Sequence, residues 1–324
     1  MKTWKKVGVT ALAGSMVAFS AQAVDVSVTG SMKMTYTADS GAQDNGVDGG
    51  RWGMSKAVAL AGSGEMDNGW TVSLTNSNLQ GSHASMSIDM GDAGTVKFQN
   101  VSGGLGIGTI DDMMPTADED VGNGIDVHGS GTVGVLSGTV SGGTKGFNYT
   151  KTLDMVELGL GYAPKGAAGS AQGGVSGDGG NTSGTSGYVK IDPMDGLEIG
   201  LGLGEVASAT ANQTTDHSTM YATYVYGSFT FGVQQSEVDH YGSTADDEQT
   251  RWGILYALND EMSVSYQAHE NDDTTATDED ADGWSASYTS GGMTIKAHRN
   301  SADNVGNITN NESEHTEVGV TFAF

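Results

Sequence analysis

Six carboxylates, Asp111, Asp112, Asp118, Glu119, Asp120 and Asp126, fall in the segment from Asn100 to Gly129, which has no lysine or arginine. Acids gathered without counter-charge focus negative potential, and between low-dielectric walls they concentrate cations. Further acid clusters stand at Asp246-Asp247-Glu248, Asp272-Asp273 and Asp278-Glu279-Asp280-Ala281-Asp282. Oxygen-rich groups of this kind are able to hold Ca2+ or Mg2+ weakly, but a solvated acidic external loop is the default reading. No dedicated metal site and no cofactor is expected. Gly122-Asn123-Gly124-Ile125-Asp126 resembles a calcium-binding β-helix repeat, but it occurs once. The seven histidines, His83, His128, His217, His240, His269, His298 and His315, lack metal-ligand spacing, and no nucleophile elbow accompanies them. Catalysis is therefore not expected.

The chain has 324 residues with 14 Lys+Arg against 40 Asp+Glu, a net charge of −26, and no cysteine. Binding to nucleic acid needs cations, so that class of partner is excluded. The N-terminus carries Lys2, Lys5 and Lys6, then an uncharged run from Val7 to Phe19, then Ala21-Gln22-Ala23. Basic flank, short apolar core and small-x-small triplet together describe a secretory signal peptide over residues 1–23. The folded unit is then 24–324. It has no run approaching the roughly 18 apolar residues of a membrane helix. If it spans a membrane, it does so as a closed barrel, the only alternative that satisfies every backbone polar group in lipid.

The elements that would position the acids are strands. Val318, Val320, Phe322 and Phe324 alternate with Glu317, Gly319, Thr321 and Ala323, and Val26, Val28, Met32, Met34 and Tyr36 alternate with small or polar residues. This period of two recurs over residues 24–38, 51–63, 70–79, 82–90, 94–100, 144–152, 156–163 and 184–191. It continues over 197–205, 218–226, 229–237, 249–257, 261–270, 282–290, 293–300 and 315–324. A further weak strand could hide in 130–143. Connections alternate between short and long, as expected of an outer-membrane barrel, and about sixteen strands leave an aqueous lumen. A soluble sandwich would need bulky side chains on both packed faces, whereas one face here is mostly Gly, Ser and Thr. Strand parity puts Lys33, Arg51, Lys97, Lys190, Arg251 and Lys296 opposite the apolar residues, hence on the lumen wall. Lys56 falls on the apolar side with Trp52, Met54 and Val58, through a bulge or by snorkelling. Trp52, Trp70, Trp252, Trp284, Tyr162, Tyr226 and Tyr288 lie near strand ends, where aromatic girdles belong.

Three features together resemble the general porin family of Gram-negative bacteria over residues 24–324. The chain ends in Val318-Gly319-Val320-Thr321-Phe322-Ala323-Phe324; a strand at Val26 to Tyr36 is able to pair with that last one; and the longest connection follows the fifth strand. The resemblance implies an all-β transmembrane barrel and a homotrimer in the bacterial outer membrane, a passive water-filled channel for small hydrophilic solutes. It implies that Phe324 is an assembly signal read by the barrel-assembly machinery, and that outer-membrane lipid and lipopolysaccharide surround the barrel. It also implies that the loop after the fifth strand folds inward, so that Asp111, Asp112, Asp118, Glu119, Asp120 and Asp126 face a wall of cations. Arg51 and Lys97, nearest in sequence, are the expected partners. The excess of loop acids points to mild cation preference. Competing readings are an acidic exported structural or calcium-binding β-protein of S-layer type, and a solute-specific channel.

Overall fold

The computed structural model describes residues 25–41, 50–77, 84–100, 105–125, 146–164, 183–207, 214–239, 247–273 and 277–324. Residues 1–23, 130–143 and Asp126 lie outside them. Five strands precede the long connection: β1 (Asp25–Gly41), β2 (Arg51–Glu65), β3 (Thr71–Asn76), β4 (Ala84–Asp89) and β5 (Thr95–Asn100). Then follow β6 (Gly146–Leu153), β7 (Val156–Ala163), β8 (Gly184–Met194), β9 (Leu197–Ala207), β10 (Thr214–Tyr226) and β11 (Phe229–Asp239). The last five are β12 (Asp247–Asn259), β13 (Met262–Asp273), β14 (Glu279–Ser290), β15 (Met293–Asp303) and β16 (Ser313–Ala323).

Each strand pairs antiparallel with its sequence neighbour, and β1 closes on β16, giving a sixteen-stranded barrel without an edge. Met34 stands opposite Val320, and Tyr36 opposite Val318. The tight hairpins at one end need left-handed backbone, which Gly227 and Gly291 supply with φ of 59° each.

Burial is inverted relative to a water-soluble protein. Along β11, Phe231 and Val233 on the outer face are 44% and 56% exposed, while Gln234 on the inner face is 3% exposed. Apolar side chains facing out and amides facing in are what a lipid-embedded barrel with a filled wall requires. Lys56 lies opposite Met32 in an unbroken β1–β2 register, so no bulge turns it inward and it points outward with Met54 and Val58.

The strands run further than their apolar alternation. Asp247, Glu248, Asp272, Asp273, Glu279 and Asp280 lie within β12, β13 and β14 and not in external loops as expected. Glu248 faces Asp272, and Glu270 faces Asp280. Carboxylates are poor strand formers and like charges in register repel. The backbone ladder nonetheless carries the hairpins past the apolar band, where Glu248, Asp272 and Asp280 are exposed to water while Asp247 and Glu279 are buried on the inner face.

Candidate functional site: a loop inside the barrel

Segment 105–125, following β5, lies against the inner wall and passes along it from β6 towards β16. Glycines make room for it. Asn148, Gly161 and Ser186 stand side by side on β6, β7 and β8. Asn148 Oδ1 accepts from the Gly106 N–H at 3.0 Å, and Ser186 Oγ accepts from the Ile107 N–H at 3.1 Å. Between them a Cβ on Gly161 would lie 2.6 Å from the Gly106 nitrogen, so only hydrogen lets the loop backbone touch the wall. Gly202 similarly faces Ile107, with 2.7 Å left for a Cβ. Ile107 and Ile110 are fully buried, and Ile110 packs on Tyr188 and Tyr221. Those two rings cover Gly159 and Gly200 on the neighbouring strands. Their hydroxyls donate to Glu157 and Glu198 at 2.8 and 2.6 Å.

Neutral amides and hydroxyls hold the rest of the loop. Gln234 donates to the carbonyls of Ile110 and Asp111 at 2.9 and 3.1 Å and accepts from the Met113 N–H at 3.0 Å. Pro115 lies over Gly253 and Gly232, and Gln267 donates to the Pro115 carbonyl at 3.3 Å and accepts from Val121 at 2.9 Å. Ser265 accepts from Ala117 at 2.9 Å, and Asn300 donates to the Asn123 carbonyl at 2.9 Å. A buried loop must satisfy its backbone somewhere, and this wall is where it does so.

The charged contacts sit further along. Arg251 Nη1 is 3.4 Å from Asp120 and 3.9 Å from Asp112. Asp118 receives Lys296 at 3.2 Å and His298 Nδ1 at 2.8 Å. Arg51 and Lys97, the partners expected from sequence proximity, are not the ones found. Arg51 pairs with Asp39, and Lys97 has no ion pair with a described residue. The loop travels away from β2 and β5 towards β12 and β15, so nearness in sequence misleads. Lys33 pairs with Glu317 at 2.7 Å and Lys190 with Glu157 at 3.0 Å, both wall to wall. Glu119 is exposed on the loop, within electrostatic reach of Lys33.

Burial among the barrel walls pushes the Asp111 carboxyl up to about 7, helped by Asp112 and opposed by Arg251. Asp112 keeps part of its side chain in lumen water, yet enclosure by the surrounding protein and the nearby Asp120 raise it to about 6 against the pull of Arg251. Burial also works to raise Asp118, but hydrogen bonds and charge from His298 and Lys296 outweigh it, so this carboxyl lies below the usual range. Three loop acids of one residue type thus lose their protons in different pH ranges.

Asn148, Ser186, Gln234, Ser265, Gln267, Asn300 and His298 are the wall residues that reading charges alone passes over. Their one signal in sequence is position: each falls on the polar parity of its strand, and strand alternation by itself marks which amides face inward. Among the described residues no three His, Asp or Glu side chains converge as metal ligands.

Residues 8–324 match the model of the family described as Gram-negative porin. None of the curated proteins matches the chain in sequence. Among solved structures, a porin refined at 1.8 Å superposes with a TM-score of 0.69 at 13% identity, covering 93% of this chain and 100% of its own. The anion-selective porin of Comamonas acidovorans gives 0.65 at 15% identity over 93% and 100% of the two chains. The trimer form of the outer-membrane protein OmpT of Vibrio cholerae gives 0.65 at 13% identity over 94% and 100%.

Proposed function

We propose that this chain, which belongs to the Gram-negative porin family and forms a channel in the bacterial outer membrane, passes small hydrophilic solutes and ions passively with a mild preference for cations. The observation that carries the preference is the loop inside the barrel. Its five described carboxylates meet two fixed cations, Arg251 and Lys296. Charge inside a low-dielectric wall is poorly screened, so the remaining negative charge enriches cations at the narrowing. Asp111, Asp112, Asp118, Glu119 and Asp120 are read as the constriction, with Lys33, Arg51, Lys97, Lys190, Arg251 and Lys296 as the charged wall; Asp126 completes the acid set in the sequence.

Members of this family and fold are typically channels without chemistry, and the same reading is carried to this chain. Residues 1–23 are read as the export signal and Phe324 as the assembly signal. Homotrimeric assembly is supported by the trimer form of the Vibrio cholerae protein, and lipopolysaccharide-bearing membrane is read as its surroundings. The test is ion selectivity: refolded protein in a planar bilayer across a KCl gradient shows a reversal potential of the sign for K+ at pH 8. Anion preference, or cation permeability unchanged after neutralising Asp111, Asp112, Asp118, Glu119 and Asp120 together, would overturn the reading of the loop.

A further inference from the structure

Two buried histidines that the loop's ion pairs only partly use stand together on the inner wall of β15 and β16. The rings of His298 and His315 stack with centroids 5.3 Å apart and planes 30° apart. Each turns Nδ1 to a carboxylate: His298 to Asp118 of the loop at 2.8 Å, and His315 to Asp39 of β1 at 2.6 Å. A nitrogen facing a carboxylate carries the proton and donates it, which leaves Nε2 as the basic atom of the neutral ring. Both Nε2 atoms are buried and have no hydrogen-bond partner among the described residues.

The groups facing the pair come from every adjoining element. From β15 there is Lys296, bound to Asp118, and from β14 Ser285, opposite His298. From β16 there is Glu317, opposite His298 and bound to Lys33 of β1. Asn300 of β15 and Asp39 of β1 flank His315, and Arg51 of β2 binds Asp39. The loop adds Asp118, Glu119 and the backbone at Gly124, where a Cβ would enter the His315 ring. Asp39, Asp118, Glu119 and Glu317 thus oppose Lys33, Arg51 and Lys296, one negative charge in excess while both imidazoles are neutral.

We propose that His298 and His315 are proton-controlled selectivity determinants of the channel: two protons taken up at Nε2 turn this local excess of one negative charge into an excess of one positive charge and lower the preference for cations. Histidine is the side chain whose ordinary charge change falls between pH 5 and 8. The two rings lie buried against the loop at Asp118 and Gly124, so their charge adds to the field along the loop and does not dissipate in bulk water. The inference rests on the channel reading above, and it is independent of the sign of the starting preference, because its readout is a difference between two pH values.

The experiment is bilayer reversal potential in a KCl gradient at pH 8 and pH 5, in an Asp111→Asn/Asp112→Asn background that removes the loop acids titrating in the same range. The expected result is a cation-to-anion permeability ratio that falls about twofold on acidification. Adding His298→Gln and His315→Gln, which keep a donor for Asp118 and Asp39 but cannot take up a proton there, is expected to flatten the response. An undiminished fall in that quadruple variant, or no fall in the background, overturns the proposal. Anion preference at pH 8 overturns the earlier reading and leaves this difference measurable. Heat-modifiable migration on a gel checks assembly. If the quadruple variant does not assemble, each single histidine variant is expected to lose part of the fall, and a full fall in both overturns the proposal.

Discussion

Gly161→Ala tests whether the loop is held by close fit to the wall. The added Cβ would stand 2.6 Å from the Gly106 nitrogen, 2.8 Å from its Cα and 3.0 Å from the Leu105 carbonyl carbon, all backbone. Ordinary carbon contacts begin near 3.5 Å, so the loop root must retreat by roughly 1 Å. That retreat stretches the 3.0 Å bond to Asn148 and the 3.1 Å bond to Ser186 beyond hydrogen-bond range. Two such bonds contribute about 1 kcal/mol each. Partial exposure of Ile107, now fully buried, costs about 1–2 kcal/mol more. Docking of the loop root weakens by about 3–4 kcal/mol on these terms. The strand ladder takes no part in these contacts, so the barrel still assembles and migrates as a folded band. The expected readout is broader, noisier single-channel conductance and faster cleavage of the 105–125 loop by protease. Wild-type conductance together with wild-type protease resistance would refute the close-fit account. Failure of the barrel to assemble would refute the claim that the ladder stands without the loop.

Arg251→Gln removes the cation that, among the described residues, pairs with both Asp112 and Asp120, 3.9 and 3.4 Å away. Breaking a buried pair costs about 3–5 kcal/mol, and less is expected here because Asp112 is partly in lumen water; the cation preference at pH 8 should rise in bilayer recordings while protease cleavage of the loop accelerates. With Asp111 pushed up to about 7 and Asp112 to about 6, both are charged at pH 8 and mostly neutral at pH 5. The wild-type cation-to-anion permeability ratio is therefore expected to fall on acidification by more than it does in Asp111→Asn/Asp112→Asn, where only the smaller fall assigned to His298 and His315 is left. Because these folded-state values are raised, the stabilisation of the docked loop from the two acids is complete below pH 4 and is lost as pH rises through 6 to 7, so protease resistance of the loop should be higher at pH 5 than at pH 8. Salt weakens the field of partly exposed charges, with a Debye length of about 3 Å at 1 M against about 10 Å at 0.1 M; reversal potentials should shrink accordingly between those concentrations.

Much of the barrel was legible in the residues because its governing pattern is local. Alternation with period two marks a strand, tells lipid face from lumen face, and needs no knowledge of any other strand; this is why β7 was expected over the very span it occupies, and why Arg251 and Lys296 were placed on the inner wall. Where charge replaced apolar residues the pattern ended early, and Asp272 and Asp280 were read as loop although the ladder runs through them.

What no local pattern contains is which inner-wall residue meets which loop residue. Asp118 and His298 are 180 positions apart, and Gln234 and Ile110 are 124 apart; they come together because the barrel closes and the loop follows its wall towards β16. Sequence by itself determined the strands, their faces and the acidity of the loop. The tertiary structure decided that glycines and neutral amides hold the loop, that Arg251, Lys296 and His298 meet its acids in place of Arg51 and Lys97, and that two histidines of β15 and β16 stack against it, because closure of a ring sets neighbours by geometry and not by order along the chain.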